Sequence, residues 1–528
     1  MECDAVGRGT ARDVLGPGLM LTVAKVTSKA AAGYANYLEG RATPTELGDY
    51  YLRDGERVEA PGRWVNGADA IGVDQAMAVS GEQLRALMAV IRPDTGQPLR
   101  RIGANGEAVA AIDATFSAPK SVSAVWALSS PELRERIERA HEHAIDRALI
   151  YATEHVSMIR ERVDSQTVIR LRPSGLIATS WRHTTARAVD GLSPDPQLHS
   201  HVLLHGAVSG DGRVVAIDSR AWLVHGRELG AAYRTELARE LAAMGFGIER
   251  GTGRGGRYFE IAGVPRALLD RWSSRHHQVR AAITARLREH HAELARAVEA
   301  GDATARAATA RLRSGQLSPR EDRYLTTATR ARKQHLATRS DLDRHWRTTA
   351  QALRFDSSSV ERLREPGRSI TPADDRELLR RLTEFDATFS ERKARAVALE
   401  ASTGVGIERS PTPLAQLRQQ RRVVSLADGT LTPSEHRGTE RETVQAAQRL
   451  ATMRVSPIPE RLVADHAATL DAELKARSGS LSLEQREALA LACTDGPLVL
   501  IEGQAGTGRA RSWRRLPKPT RRTSGRSS

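Results

Sequence analysis

DPQLHSHVLLHGAV, residues 195–208, is the most specific run in this 528-residue chain. It reads as a strand, and histidines at i and i+2 of a strand project from one face with Cα atoms roughly 6.7 Å apart. At that separation His199 and His201 can converge on one metal ion at about 2.1 Å each. His205 faces the same side, but roughly 13 Å from His201 it is too distant to share the ion on a regular strand. The third ligand must come from elsewhere, and His183, in SWRHTTARAVDGLSPDPQLHSH, is the candidate, carried back by the intervening loop. Three neutral imidazoles with an open position suit a catalytic site better than a structural one, which four protein ligands usually close. The same His-x-His spacing also occurs on half-exposed strands that bind nothing.

Around this strand the chain alternates short β-rich runs with helical segments. LTVAKV (residues 21–26) alternates as a strand, and AIDATFSAPKSVSAVW (111–126) and RVVAIDS (213–219) are β-rich. PELRERIERAHEHAIDRALIYATEHV (131–156) is helical. In the segment 228–246, Leu229, Tyr233, Leu237 and Leu241 recur at helical spacing, with Gly245 as the stop. The predicted class is α+β. From about Pro265 to Leu363 the composition turns to Ala, Arg, Glu and His, and residues 364–480 read as charged helices broken by prolines. The expected division is a non-native or disordered extension over 1–19, a main domain over 20–363, a helical linker over 364–480, a nucleotide-loop fragment over 481–510 and a disordered basic tail over 511–528.

Composition narrows the function. Lys and Arg exceed Asp and Glu by 79 − 64 = +15, which favours a polyanionic partner. Eight of those charges lie in residues 509–528, which contain no acid, so the rest carries 15 − 8 = +7. No run of about 18 apolar residues occurs, which argues against membrane insertion. Two cysteines at opposite ends exclude a disulfide framework and a cysteine-rich zinc site, and point to a cytoplasmic setting.

Tyrosine is scarce, eight in all, yet Tyr34, Tyr37, Tyr50 and Tyr51 fall within eighteen residues. A polar loop such as GDYYLRDG is not a core. A phenolate attacks phosphorus competently and conserves the bond energy in a covalent intermediate.

Together these segments resemble the MobF-type conjugative relaxases, the TrwC/TraI-like family of HUH endonucleases. YLE at Tyr37 resembles the family's first tyrosine group, and Tyr50-Tyr51 in DYYLRDG the second. IDATFSAPKSVS resembles its Asp-containing motif, with the aspartate at Asp113, and the segment from His183 through His201 resembles its three-histidine motif. The resemblance implies a central antiparallel sheet flanked by helices, with the histidines on a central strand. It implies nicking of one DNA strand at a plasmid transfer origin through a 5′-phosphotyrosine, with rejoining. Tyr37 is then the nucleophile, Tyr50 or Tyr51 serves a second strand transfer, and Asp113 orients a ligand histidine or takes the tyrosine proton. The implied cofactor is a divalent ion (Mg, Mn or Zn) on His183, His199 and His201. The implied partners are single-stranded and hairpin DNA, with other relaxosome and coupling proteins. Lys120, Arg182 and Arg187 are candidate phosphate contacts. Two rivals are a DNA-binding remnant without catalysis and a rolling-circle replication initiator; the latter usually places its tyrosine after the histidines, the reverse of the order here.

In the family a helicase follows. LSLEQREALALACTDGPLVLIEGQAGTG (481–508) resembles its start, with a glycine-rich turn at Gly503, Gly506 and Gly508. A phosphate loop needs Lys and then Ser or Thr at the next positions. Here they are Arg509 and Ala510, so the loop reads as degenerate and the helicase as truncated, with no ATPase activity expected.

Overall fold

The computed structural model describes residues 21–27, 60–102, 109–164, 166–189, 192–250, 257–300, 319–329, 338–365, 373–453, 458–476, 480–494 and 498. They fall into two compact units, one reaching Gln420 and taking in Ala427–Leu431, the other holding Arg421–Leu426 and 432–528.

The first unit is built on an antiparallel sheet. Its strands in chain order are β1 (Leu21–Thr27), β2 (Gly62–Asn66), β3 (Ala78–Val79) and β4 (Val109–Ser117). A separate two-stranded ribbon follows, β5 (Ile159–Arg162) with β6 (Val168–Leu171). The sheet is completed by β7 (Gly175–Thr185), β8 (Pro196–Val208) and β9 (Val214–Val215). Across the sheet the order is β1-β4-β8-β7-β2-β3, with β9 against β8. β7 and β8 are the longest, at 11 and 13 residues, and are largely buried along their length because layers cover both faces.

One face carries helices. α1 (Gly81–Met88) belongs to the opposite side; α2 (Lys120–Leu128), α3 (Pro131–His155), α4 (Ser219–Val224) and α5 (Gly226–Ala243) form this layer. Ile112, Phe116, Val202 and Leu204 of the sheet meet Ile145, Leu149, Tyr233 and Leu237 in one continuous core. Ser130 caps α3 through a bond from the Leu133 amide, and Pro131 starts it with the fixed φ that suits a first helical residue. In α5 the expected stripe of Leu229, Tyr233, Leu237 and Leu241 is fully buried, and Gly245 follows at φ +94°, a value L side chains avoid.

The opposite face packs on α1. Leu84, Leu87 and Met88 join Trp64, Ile71, Ala111, Trp181 and Leu203. Among the described residues this apolar filling ends at Trp181 and Leu203, and the next outward residues on the same face are His183 and His201.

Two expectations are corrected. The β-rich reading of 111–126 holds only to Ser117; from Lys120 the chain is helix, because every residue from Ser121 to Leu128 is buried and packing overrides the β-branched propensity of Val122 and Val125. Of the prolines expected to break the helices of 364–480, Pro411 is the first residue of Pro411–Gln419 and Pro413 lies within its first turn, while Pro433 and Pro459 flank the starts of Ser434–Ala451 and Glu460–Lys475; Pro366, Pro372 and Pro457 lie outside the described residues.

The compact unit also continues past Leu363. Helix Glu391–Ala401 lies against α5 through reciprocal charges. Arg227 donates both Nε and Nη2 to Glu400 at 2.9 Å, and Arg395 Nε donates to Glu228 at 2.7 Å. Thr235 Oγ1 donates to the Leu399 carbonyl, and the Ile407 amide donates to Glu236, each at 2.7 Å. With Glu228, Glu236 and Glu400 nearly inaccessible, each pair needs its partner to offset desolvation.

In the second unit Val463, Ala467, Leu489 and Cys493 form a small core between helices Glu460–Lys475 and Leu483–Thr494. Asp471 accepts from the Leu481 amide and pairs with Arg486 at 2.6 Å.

Candidate metal centre

The antiparallel register of β7 and β8 sets His183 directly opposite His199, and Trp181 opposite His201. Residues directly opposite share a face, so all three histidines stand on one side at one end of the sheet. Their ring centroids are 5.2–5.4 Å apart, and one nitrogen from each lies within 4.8 Å of the other two. The segment between Thr185 and Pro196 turns the chain back, and the antiparallel pairing of β7 with β8 then sets His183 beside the histidine strand.

The rings are oriented from behind. His201 Nδ1 lies 3.0 and 3.2 Å from the carboxylate oxygens of Asp113, on the neighbouring β4. Thr115 Oγ1 donates to Asp113 at 3.1 Å and lies 3.1 Å from His201 Nδ1. His199 Nδ1 bonds the Gln197 carbonyl at 3.0 Å. With Nδ1 engaged in this way, the ligand atom each of these two imidazoles offers is Nε2. Burial, followed by the neighbouring His201, pushes His199 down to about 4, so it is neutral and a competent ligand at neutral pH. Three converging imidazoles, one of them kept neutral by burial and another backed by a carboxylate, fit a borderline divalent cation.

Asp113 is nearly inaccessible, and the structure sets it against His201. His205, on the same face, makes a 2.9 Å bond with Thr179 Oγ1 and stands outside the cluster, as its spacing predicts. Lys120 opens α2 beside the start of β8; its Nζ donates to the Pro196 carbonyl at 3.2 Å, and burial brings it to about 8 against the pull of Asp195 and Glu260. Arg182 points to the opposite face, where it pairs with Glu138 at 2.8 Å and with Glu142. Its charge is spent on α3, away from the histidines. Arg187 lies half-buried two residues beyond β7. Tyr37, Tyr50 and Tyr51 lie outside the described residues, as do Gly503, Gly506, Gly508 and Arg509.

Sequence reading left two groups unassigned. Thr115 is one, although its i+2 spacing from Asp113 already puts both on one face. The other is His141, a buried residue of α3 that no motif marks.

No helix among the described residues is long and apolar enough to cross a membrane. Comparison with curated proteins returns no match. Among solved structures the chain is similar to the conjugative relaxase TrwC in complex with oriT DNA. The metal-free form shares 24% identity at a TM-score of 0.47, the copper-bound form 27% at 0.49 and a metal-bound form 26% at 0.49. Each comparison covers 64% of this chain and 99% of the other. The family model described as TrwC relaxase matches residues 30–353. That is more than half of the 528 residues, and the chain belongs to the TrwC relaxase family.

Proposed function

We propose that the protein is a conjugative relaxase that nicks one DNA strand at a plasmid transfer origin and later rejoins it. The convergence of His183, His199 and His201, in a chain of this family, carries the reading. A divalent ion held there supplies electrostatic stabilisation of the negative charge that builds on the scissile phosphate. Tyr37 Oη attacks phosphorus, its proton is lost, and the bond from phosphorus to the 3′ oxygen breaks. The products are a 5′-phosphotyrosine and a free 3′-hydroxyl, which takes up a proton. The reverse reaction rejoins the strand, and Tyr50 or Tyr51 serves a second transfer. Asp113 holds His201 in its ligand orientation rather than receiving the tyrosine proton, a role its 3.0 Å approach to His201 supports.

The DNA partner is single-stranded and hairpin DNA, in keeping with the net charge of +15. The setting is the cytoplasm. GQAGTG followed by Arg509 and Ala510 binds no ATP.

The deciding experiment incubates the protein with supercoiled plasmid carrying its own transfer origin, with Mg²⁺, Mn²⁺ or Zn²⁺ and with excess chelator. Metal-dependent open circles with protein attached to the 5′ end are expected, and Tyr37→Phe should abolish both while retaining hairpin binding. Hairpin binding without any nicking by the native chain would favour an idle remnant instead. Normal nicking by Tyr37→Phe, with loss in Tyr50→Phe, would reverse the tyrosine assignment.

A further inference from the structure

Ser200 lies between the two ligands of β8 and therefore faces the helical layer while His199 and His201 face the other way. There Ser200 Oγ is 2.9 Å from His141 Nε2, and His141 Nδ1 is 2.7 Å from Tyr233 Oη. His141 belongs to α3 and Tyr233 to α5, so three elements meet at one imidazole. All three side chains are fully buried. The Tyr233 ring stands edge-on to His141 with centroids 5.6 Å apart, and rests on Phe116 of β4 at 5.3 Å.

Burial keeps His141 well below its ordinary pKa, so it is neutral, with one ring nitrogen donating and the other accepting. That bridges two hydroxyls without leaving a polar atom unmet. Apolar side chains would fill the same space with no such requirement, as they do in the surrounding Ile145, Leu149 and Val202. A satisfied polar chain in an apolar layer fixes one arrangement of the elements it joins. The backbone ladders on either side of Ser200, to Phe116 and Arg182, set the register of β8. They leave its height and rotation against α3 to the side chains.

We infer that His141 is a positioning residue for the metal centre: through Ser200 it pins β8 midway between its two ligands, and through Tyr233 it ties that point to α5. A three-histidine site tolerates about 0.5 Å of error in its supporting elements, which is the scale of movement such a pin prevents. The inference rests on reading the three histidines as a metal site.

The test uses the full chain and Co²⁺, whose visible ligand-field bands report coordination geometry as well as occupancy. His141→Phe keeps the ring volume and cuts both bonds. His141→Gln keeps a donor and an acceptor. Ser200→Ala removes only the hydroxyl, and serves if His141→Phe fails to fold. Expected are ~10–100-fold weaker Co²⁺ binding per folded molecule for His141→Phe, the range of partners that orient ligands. Its bands should shift, Gln should recover affinity towards that of the native protein, and Ser200→Ala should weaken binding in the same direction. Native affinity and spectrum in a folded His141→Phe, or in Ser200→Ala where the former does not fold, would overturn the inference while leaving the metal site standing. Failure of the native chain to bind Co²⁺ would overturn both.

Discussion

His199 and His201 at one end of β8, and His205 further along it, are the same residue type on the same face of the same strand. Their surroundings make them different chemical groups. At the outer end, among the described residues, no apolar layer covers this face beyond Trp181 and Leu203, and three imidazoles gather with a carboxylate behind them. Four residues further in, His205 is enclosed, bonded to Thr179, whose hydroxyl also accepts from Trp181 Nε1 at 3.2 Å. The outer histidines are available for binding; the inner one serves packing. Depth below the end of the sheet, not residue type or side-chain direction, separates the clustered histidines from the enclosed one.

The sharpest way to break this contrast is to remove the outer pair. His199→Ala with His201→Ala should abolish metal uptake and metal-dependent nicking, leaving a cooperative melting transition. Metal titration followed by thermal unfolding checks both. Persistence of uptake would mean that the three-histidine cluster is not the binding site.

Asp113→Ala should come next, with metal affinity ~10–100-fold weaker because His201 loses the partner that holds its Nδ1. Competition with a chromophoric chelator measures it. An unchanged affinity would show that Thr115 and the strand suffice to orient His201.

His205→Leu should do the reverse of the outer substitutions. Stability should drop by about 1–3 kcal/mol, the range for a broken buried hydrogen bond, with metal affinity within twofold of native. Denaturant unfolding and metal titration, side by side, test it. A large loss of affinity would merge the two ends of the strand into one site.

Near neutral pH the smallest effect is a pH slope, which grows only on acidification. Burial pushes His205 down to about 3, against about 6.5 in an unfolded chain. Between those values the unfolded chain takes a proton that the folded one refuses, so stability falls as pH drops below about 6.5. For this residue the slope is at most about 1.4 kcal/mol per pH unit. His205→Leu should flatten the acid side of the stability profile by about one proton. An identical profile in both proteins would mean that His205 protonates within the fold.

Much of this could be read before folding. The i, i+2 spacing put His199 and His201 on one face, and the helical stripe of α5 marked its buried side, because both periodicities are properties of the local backbone. The same alternation also sends Arg182 to the face opposite His183, but its partners there, Glu138 and Glu142, are set by the packing of α3. The helix from Lys120 was not, since Ser, Val and Trp there carry no helical stripe when every side is buried.

The sequence by itself determined which residues could ligate a metal and which faces of their strands they share. It also determined the family, since ordered motifs survive without coordinates. Only the tertiary structure decided that His183 pairs opposite His199, that Asp113 meets His201, that His205 is sealed in the core, and that His141 stands behind the ligand strand. Each of those depends on contacts between segments far apart in the chain, from 16 residues for His183 and His199 to 88 for Asp113 and His201. Local periodicity fixes a side chain's direction; strand register and layer packing fix its neighbours.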